Sequence, residues 1–247
     1  MSAPITRDVA YTHDGDRMRG MLVAPPSDAP LPTVLLLHDA FGLNAHTIQV
    51  AHRVAELGHA VFAADVWGDR TTPHDESEIG PLIGGMAGDR PRWLARLAAA
   101  HEAAIAQPEA DAAVVALGYC FGGAGALEHL RAGGDLRGAI SIHGGLDLLA
   151  DGWEAARSGA SVLIATGAED PMATPAQRDA LTAGLSGAGI EWELDVYSGT
   201  VHAFTNPASA HSPDPAVVAY NPRSAARAWA ATIRFLAETL GEHESRR

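Results

Sequence analysis

The sequence predicts an α/β fold built on a doubly wound, mostly parallel sheet with helices on both faces. Three observations lead there. Short apolar runs at 33–38, 59–65, 111–117, 139–142 and 161–165 read as strands buried on both faces, as parallel strands are. Segments of helical period lie between them, and strand–helix alternation is the pattern of a layered α/β sheet. The third is a strand entering a helix through Gly118-Tyr119-Cys120-Phe121-Gly122-Gly123. So tight a turn strains the backbone of its central residue and leaves no room for a Cβ on the residues two away.

In chain order, 9–23 reads as a hairpin turning at Asp14-Gly15. Pro25-Pro26 and Pro30 with Pro32 bracket a loop before the 33–38 strand. That strand ends in Asp39-Ala40-Phe41-Gly42-Leu43-Asn44, where Asn44 is placed to cap a helix over 46–58 with Ile48, Val54, Ala55 and Leu57 on its apolar side. After the 59–65 strand, 67–88 carries Gly, Pro and Thr with little periodicity and reads as a long loop that walls or covers a pocket. Helical spacing of Trp93, Leu94, Leu97 and Ile105 predicts a core-facing helix over 91–107. Beyond the glycine-flanked turn follow a helix at 124–130, strands at 139–142 and 161–165, a helix over 175–187 and an alternating strand over 190–197. A last helix over 222–240 sets Trp229, Ile233, Leu236 and Leu240 on one face. There is no internal repeat, low-complexity tract or long linker, so one domain over 1–247 is expected.

Composition narrows the function classes. Hydrophobic residues make up 47%, ordinary for a soluble globule, and the formal charge of −13 argues against nucleic acid or an anionic membrane as partner. All 17 basic residues are arginine, which removes a phosphate-binding Walker lysine, a Schiff base and a pyridoxal phosphate site from consideration. A single cysteine allows neither an internal disulfide nor a Cys-x-x-Cys site. Met1-Ser2-Ala3-Pro4 shows no basic or apolar leader and no run approaches a membrane span, so a cytoplasmic protein is expected.

Chemistry gathers at Cys120. At a helix N-terminus the helix dipole and unsatisfied N–H groups favour an anion, and the thiolate is the nucleophilic form of cysteine. A nucleophile needs a base, and the base an orienter. The base candidate is His202, in Gly199-Thr200-Val201-His202-Ala203-Phe204; the acid candidate is Asp170, in Gly167-Ala168-Glu169-Asp170-Pro171, with Glu169 a competitor. Both follow the C-terminal ends of expected parallel strands, the edge where open α/β sheets bind ligands. Phe121 and Ala40 are the expected backbone donors of an oxyanion hole. His38-Asp39 has ligand chemistry, but no third ligand accompanies it, so neither metal nor cofactor is expected.

The order nucleophile, acid, histidine is that of α/β-hydrolases. Together His38-Asp39-Ala40-Phe41-Gly42-Leu43-Asn44, the cysteine turn, Asp170 and Val201-His202-Ala203-Phe204 resemble the dienelactone hydrolase (carboxymethylenebutenolidase) family over nearly the whole chain. The resemblance implies an α/β-hydrolase fold without a separate cap domain, a Cys120–His202–Asp170 triad and hydrolysis of a lactone or small ester. It assigns Asp39, where the family usually has Glu, to tuning the thiol. Where dienelactone-cleaving members hold the substrate carboxylate with Ser and Arg, this chain has Ala203 and Asn206, with Arg70 or Arg90 the candidate replacements. Phe41, Leu43, Trp67 and Phe204 join Ala203 and Asn206 as the expected pocket, which favours neutral or aryl substrates. The expected partner is therefore a small ester or lactone, bound by a monomer or homodimer. Acyl transfer, phosphate-ester hydrolysis and a non-catalytic binding role are the alternatives.

Overall fold

Asp14 and Gly15 both take positive φ (48° and 82°), closing a two-residue hairpin whose twist suits the strands on either side. Those strands are β1 (Ile5–His13) and β2 (Asp16–Ala24), paired antiparallel throughout. The computed structural model describes residues 4–241; residues 1–3, which enter the leader expectation, lie outside them. Contacts cluster into two units, the first ending at Leu117 and the second beginning at Gly118.

In the first unit the hydrogen-bonded order is β1-β2-β4-β3-β5, with β3 at Leu31–Leu37, β4 at Ala60–Ala64 and β5 at Ala110–Tyr119. β3 and β4 run parallel, but β4 pairs antiparallel with β2, so the sheet is mixed. Asn44 caps α1 (Ala45–Ala55) as expected, its side chain accepting from the Thr47 amide at 3.0 Å. The expected loop over 67–88 instead contains a helix, α2 (Glu76–Gly88), which tolerates Pro81 in its interior. Asp75 opens it by accepting from the Ser77 and Glu78 amides, while Glu78 accepts from the His74 amide. α3 (Arg90–Ile105) buries Trp93 and Leu97, whereas Ile105 is exposed and Ala100 and Ala104 complete the inward stripe.

Arg96 of α3 organises the segment after β4. Its buried guanidinium pairs with Asp16 and donates to the Val66 and Trp67 carbonyls, both at 2.7 Å. Asp65, also buried, accepts from the amides of Arg19, Gly68 and Arg70. These bonds satisfy backbone groups that no strand or helix satisfies there.

The second unit carries the parallel run β6-β7-β8, at Gly138–Ile142, Ser161–Gly167 and Glu191–Tyr197. α4 (Phe121–Arg131) packs on β6, and α5 (Pro175–Gly187) on β8. α6 (Pro222–Gly241) buries Leu236 and Leu240 as expected. Ile233 is exposed, however, and the inner face is carried by Ala228, Ala231, Thr232 and Phe235.

Arg96→Met keeps the bulk of the side chain but leaves two inward carbonyls without donors. We expect a loss of about 2–4 kcal/mol in stability, read as a lowered denaturant midpoint with an unchanged slope.

Candidate active site

Cys120 stands between the end of β5 and the first residue of α4, with φ 53° and ψ −117°. Positive φ is rare for a residue bearing a Cβ and here turns the side chain out of the strand direction. The turn is possible because of Gly118: a Cβ there would lie 1.9 Å from the Gly122 carbonyl oxygen. Backbone bonds lock the turn, with Cys120 N–H donating to the Ile142 carbonyl and the Gly123 and Ala124 amides donating to the Cys120 carbonyl. Phe121 occupies the first position of α4, where an amide has no acceptor within its own helix.

β7 and β8 deliver the other two side chains. Asp170 lies three residues past the end of β7, and Thr200 to Asn206 form the loop after β8. His202 Nε2 is 3.1 Å from Cys120 Sγ and His202 Nδ1 is 2.9 Å from Asp170 Oδ2. Cys120 is partly exposed, while His202 and Asp170 are buried. The second oxygen of Asp170 accepts from the Met172 amide at 2.9 Å, which orients the carboxylate. Glu169, the competitor, accepts from the Thr200 amide instead and ties the acid loop to the histidine loop. A parallel bridge to Val218 fixes the histidine backbone, through His202 N–H to the Val217 carbonyl and Ala219 N–H to the His202 carbonyl.

Electrostatics at His202 sets a buried cation against its partners. Burial alone drives the imidazolium toward neutrality, but the Cys120 sulfur and the Asp170 carboxylate outweigh it, and the pKa is pushed up to about 10. The arrangement thus favours the protonated form of His202.

Of the expected pocket residues, Phe204 is fully buried and does not line an open surface. Its ring meets His143 at 5.2 Å and Tyr197 at 5.6 Å, anchoring the loop beneath His202. Ala203 takes positive φ (53°), and the Asn206 Oδ1 accepts from the Ala208 amide, capping a short 3-10 turn at Pro207–His211.

The remaining expected residues belong to the first unit. Asp39 Oδ1 accepts from the Phe41 amide at 2.9 Å and from Asn44 Nδ2 at 3.3 Å, closing the turn after β3. Ala40 gives its carbonyl to Trp67 Nε1. Leu43 and Trp67 are buried, whereas Phe41 is exposed. Burial holds the His38 ring below the usual histidine range. Its Nε2 accepts from the Val66 amide, so Nδ1 carries the proton and donates to the Asp39 carbonyl. Both nitrogens are thereby occupied, which leaves no lone pair for a metal. Arg70 donates to Asp8 at 2.8 Å, and the Arg90 guanidinium lies over the Trp93 ring at 5.7 Å.

The profile of the dienelactone hydrolase family matches residues 18–240. The chain belongs to that family. Among solved structures, a dienelactone hydrolase-like promiscuous phosphotriesterase from metagenomic libraries is 34% identical with a TM-score of 0.88, the match covering 96% of this chain and 99% of that one. A putative dienelactone hydrolase from Klebsiella pneumoniae subsp. pneumoniae shares the fold at 22% identity and TM-score 0.77, over 96% and 100% of the two chains. The putative carboxymethylenebutenolidase of Escherichia coli K12 is 23% identical over 77% of this chain and 74% of its own. The carboxymethylenebutenolidase of Pseudomonas putida is 29% identical over 46% and 50%. This dienelactone hydrolase family member therefore has an α/β-hydrolase fold without a cap domain and is a hydrolase acting on lactone or ester substrates. No helix among its described residues is long and apolar enough to cross a membrane.

A raised histidine pKa means the imidazolium persists below about pH 10 and its pairing energy disappears as pH rises through that value. Iodoacetamide should therefore alkylate Cys120, the partly exposed sulfur that the His202 ring meets at 3.1 Å. His202→Ala, which removes the ring nitrogen 3.1 Å from the sulfur, should slow alkylation at pH 7 by about tenfold or more.

Proposed function

We propose that the chain hydrolyses small neutral carboxylic esters and lactones through a thioester on Cys120. The observation that carries the proposal is the unbroken line Cys120 Sγ–His202 Nε2 and His202 Nδ1–Asp170 Oδ2 at the mouth of the turn. The Cys120 thiolate adds to the substrate carbonyl, and the oxyanion is held by the Phe121 amide, with Ala40 the second donor that the resemblance implies. As the C–O bond breaks, the imidazolium gives its Nε2 proton to the leaving alkoxide. Neutral His202 then takes a proton from water, which adds to the thioester and expels the thiolate. Asp170 holds the imidazole orientation and compensates its positive charge in both halves.

A preference for neutral substrates is supported by Ala203 and Asn206, which stand where dienelactone-cleaving relatives hold the substrate carboxylate with Ser and Arg. Asn206 caps its own turn and Arg70 is paired with Asp8. A buried carboxylate lacking its charge-assisted partner loses about 1.5–3 kcal/mol. A neutral aryl acetate should thus exceed dienelactone in kcat/KM, and dienelactone ahead by tenfold would overturn this choice. Asp39 is proposed to tune the thiol: Asp39→Ala should slow alkylation of Cys120 more than twofold, and a smaller change would leave only its turn bonds.

Cys120→Ala should abolish turnover, with His202→Ala close behind because the two act as a unit. Asp170→Asn should cost on the order of 10^3–10^4 in kcat by analogy with serine triads. Activity retained in Cys120→Ala would require another nucleophile. A second reading, attack on phosphotriesters by the same thiolate, is favoured by the phosphotriesterase relative at 34% identity. Assaying an aryl phosphotriester beside the aryl acetate separates the two. A protein that turns over neither, with water or an added alcohol as acceptor, would be a binder rather than an enzyme.

A further inference from the structure

Two hydrogen bonds hold the His202 ring at opposite nitrogens, and together they define a line through it. Rotation about that line changes the aim of Nε2 at Cys120 while stretching neither bond much. Something against the ring must fix the tilt. The ring of His143, a residue with no part in the triad, lies against it.

His143 follows directly on β6 and reaches the triad end of the parallel strands. Its amide donates to the Ala165 carbonyl of β7 at 2.7 Å, and the preceding Ile142 carbonyl accepts from the Cys120 amide. One peptide link of β6 thus joins the nucleophile turn to the strand that carries Asp170. The backbone of His143 is in the positive-φ region at 40°, a conformation unfavourable for a residue bearing a side chain. Next to it Gly144 has no room for a Cβ, which would fall 2.3 Å from Ser141 Oγ. The tight, strained corner turns the His143 side chain inward, where it is 97% buried (3% relative exposure).

Inside, the ring lies 5.2 Å from His202 at an interplanar angle of 67°, and 5.2 Å from Phe204 at 77°. Tyr119, the residue before the nucleophile, also meets it, at 5.8 Å. A phenyl ring would satisfy those contacts. The imidazole adds a bond that phenyl lacks, His143 Nε2 to Thr205 Oγ1 at 2.8 Å. Thr205 is three residues past His202 in the same loop. His143 therefore grips that loop three times, by edge contacts to 202 and 204 and by a hydrogen bond to 205.

We infer that His143, fixed by Thr205, is the positioning residue that sets the tilt of the His202 imidazole between Asp170 and Cys120. The inference rests on the triad chemistry proposed above, acting through His202 and touching no substrate.

The test compares wild type with His143→Phe, Thr205→Val and their double variant. Readouts are kcat and KM for a neutral aryl acetate, the pH profile of iodoacetamide alkylation, and melting temperature. His143→Phe keeps the ring and loses the bond; Thr205→Val loses the same bond from its other end. Each should lower kcat about tenfold with KM within about twofold, as small misplacements of a catalytic group do. The double variant should be no worse than the poorer single, because both remove one interaction. Alkylation at pH 7 should slow in step with kcat. Melting temperatures lowered with unchanged kcat and alkylation rates would reduce His143 to core packing and overturn the inference, as would additive losses in the double variant. Should the wild type turn over no ester, alkylation still decides: a slowed rate upholds His143 while the hydrolase mechanism falls, and an unchanged rate sinks both.

Discussion

The site depends on one backbone constraint, the left-handed conformation forced on Cys120 between a strand and a helix. Gly118 and the Gly122 carbonyl approach closely enough that any side chain at 118 would unmake the turn. With the turn made, the sulfur stands at the N-terminus of α4 and partly open, while its histidine and aspartate remain buried. Burial is unfavourable for the His202 cation, yet the Cys120 sulfur and the Asp170 carboxylate on either side more than offset it. The three side chains follow the ends of β5, β7 and β8, which fix where each loop begins.

Much of this was legible in the sequence. The glycine-flanked cysteine, Asp170 and His202 were each readable because a steric or chemical rule restricts the residue types at those places. The hairpin at Asp14-Gly15 and the Asn44 cap were readable for the same reason. α2 was hidden because Gly80, Pro81, Gly84 and Gly85 are poor helix formers, although Asp75 and Glu78 three residues apart marked its start. The antiparallel pairing of β2 with β4 joins distant segments, and no local pattern records it.

His143 escaped notice for a different reason. It is one histidine among 12, with no motif around it beyond the following Gly144-Gly145. Its position at the end of β6 was the available signal, but which way its ring turns depends on a positive φ that sequence does not reveal. Phe204 was misread in the complementary way. A large apolar residue two places from His202 suggests a pocket wall, whereas its ring is fully buried against His143 and Tyr197. On α6, likewise, small residues such as Ala228 and Ala231 pack inward while Ile233 remains at the surface.

The central claim is that acyl transfer passes through sulfur. Rapid-quench mass spectrometry of the intact protein during turnover of a neutral aryl acetate, followed by peptide mapping, addresses it most directly. The account predicts a transient gain of one acetyl group, located on the peptide containing Cys120 and released by neutral hydroxylamine. Turnover accompanied by acetyl on a different residue, or by none at any time point under conditions where deacylation limits the rate, would contradict it.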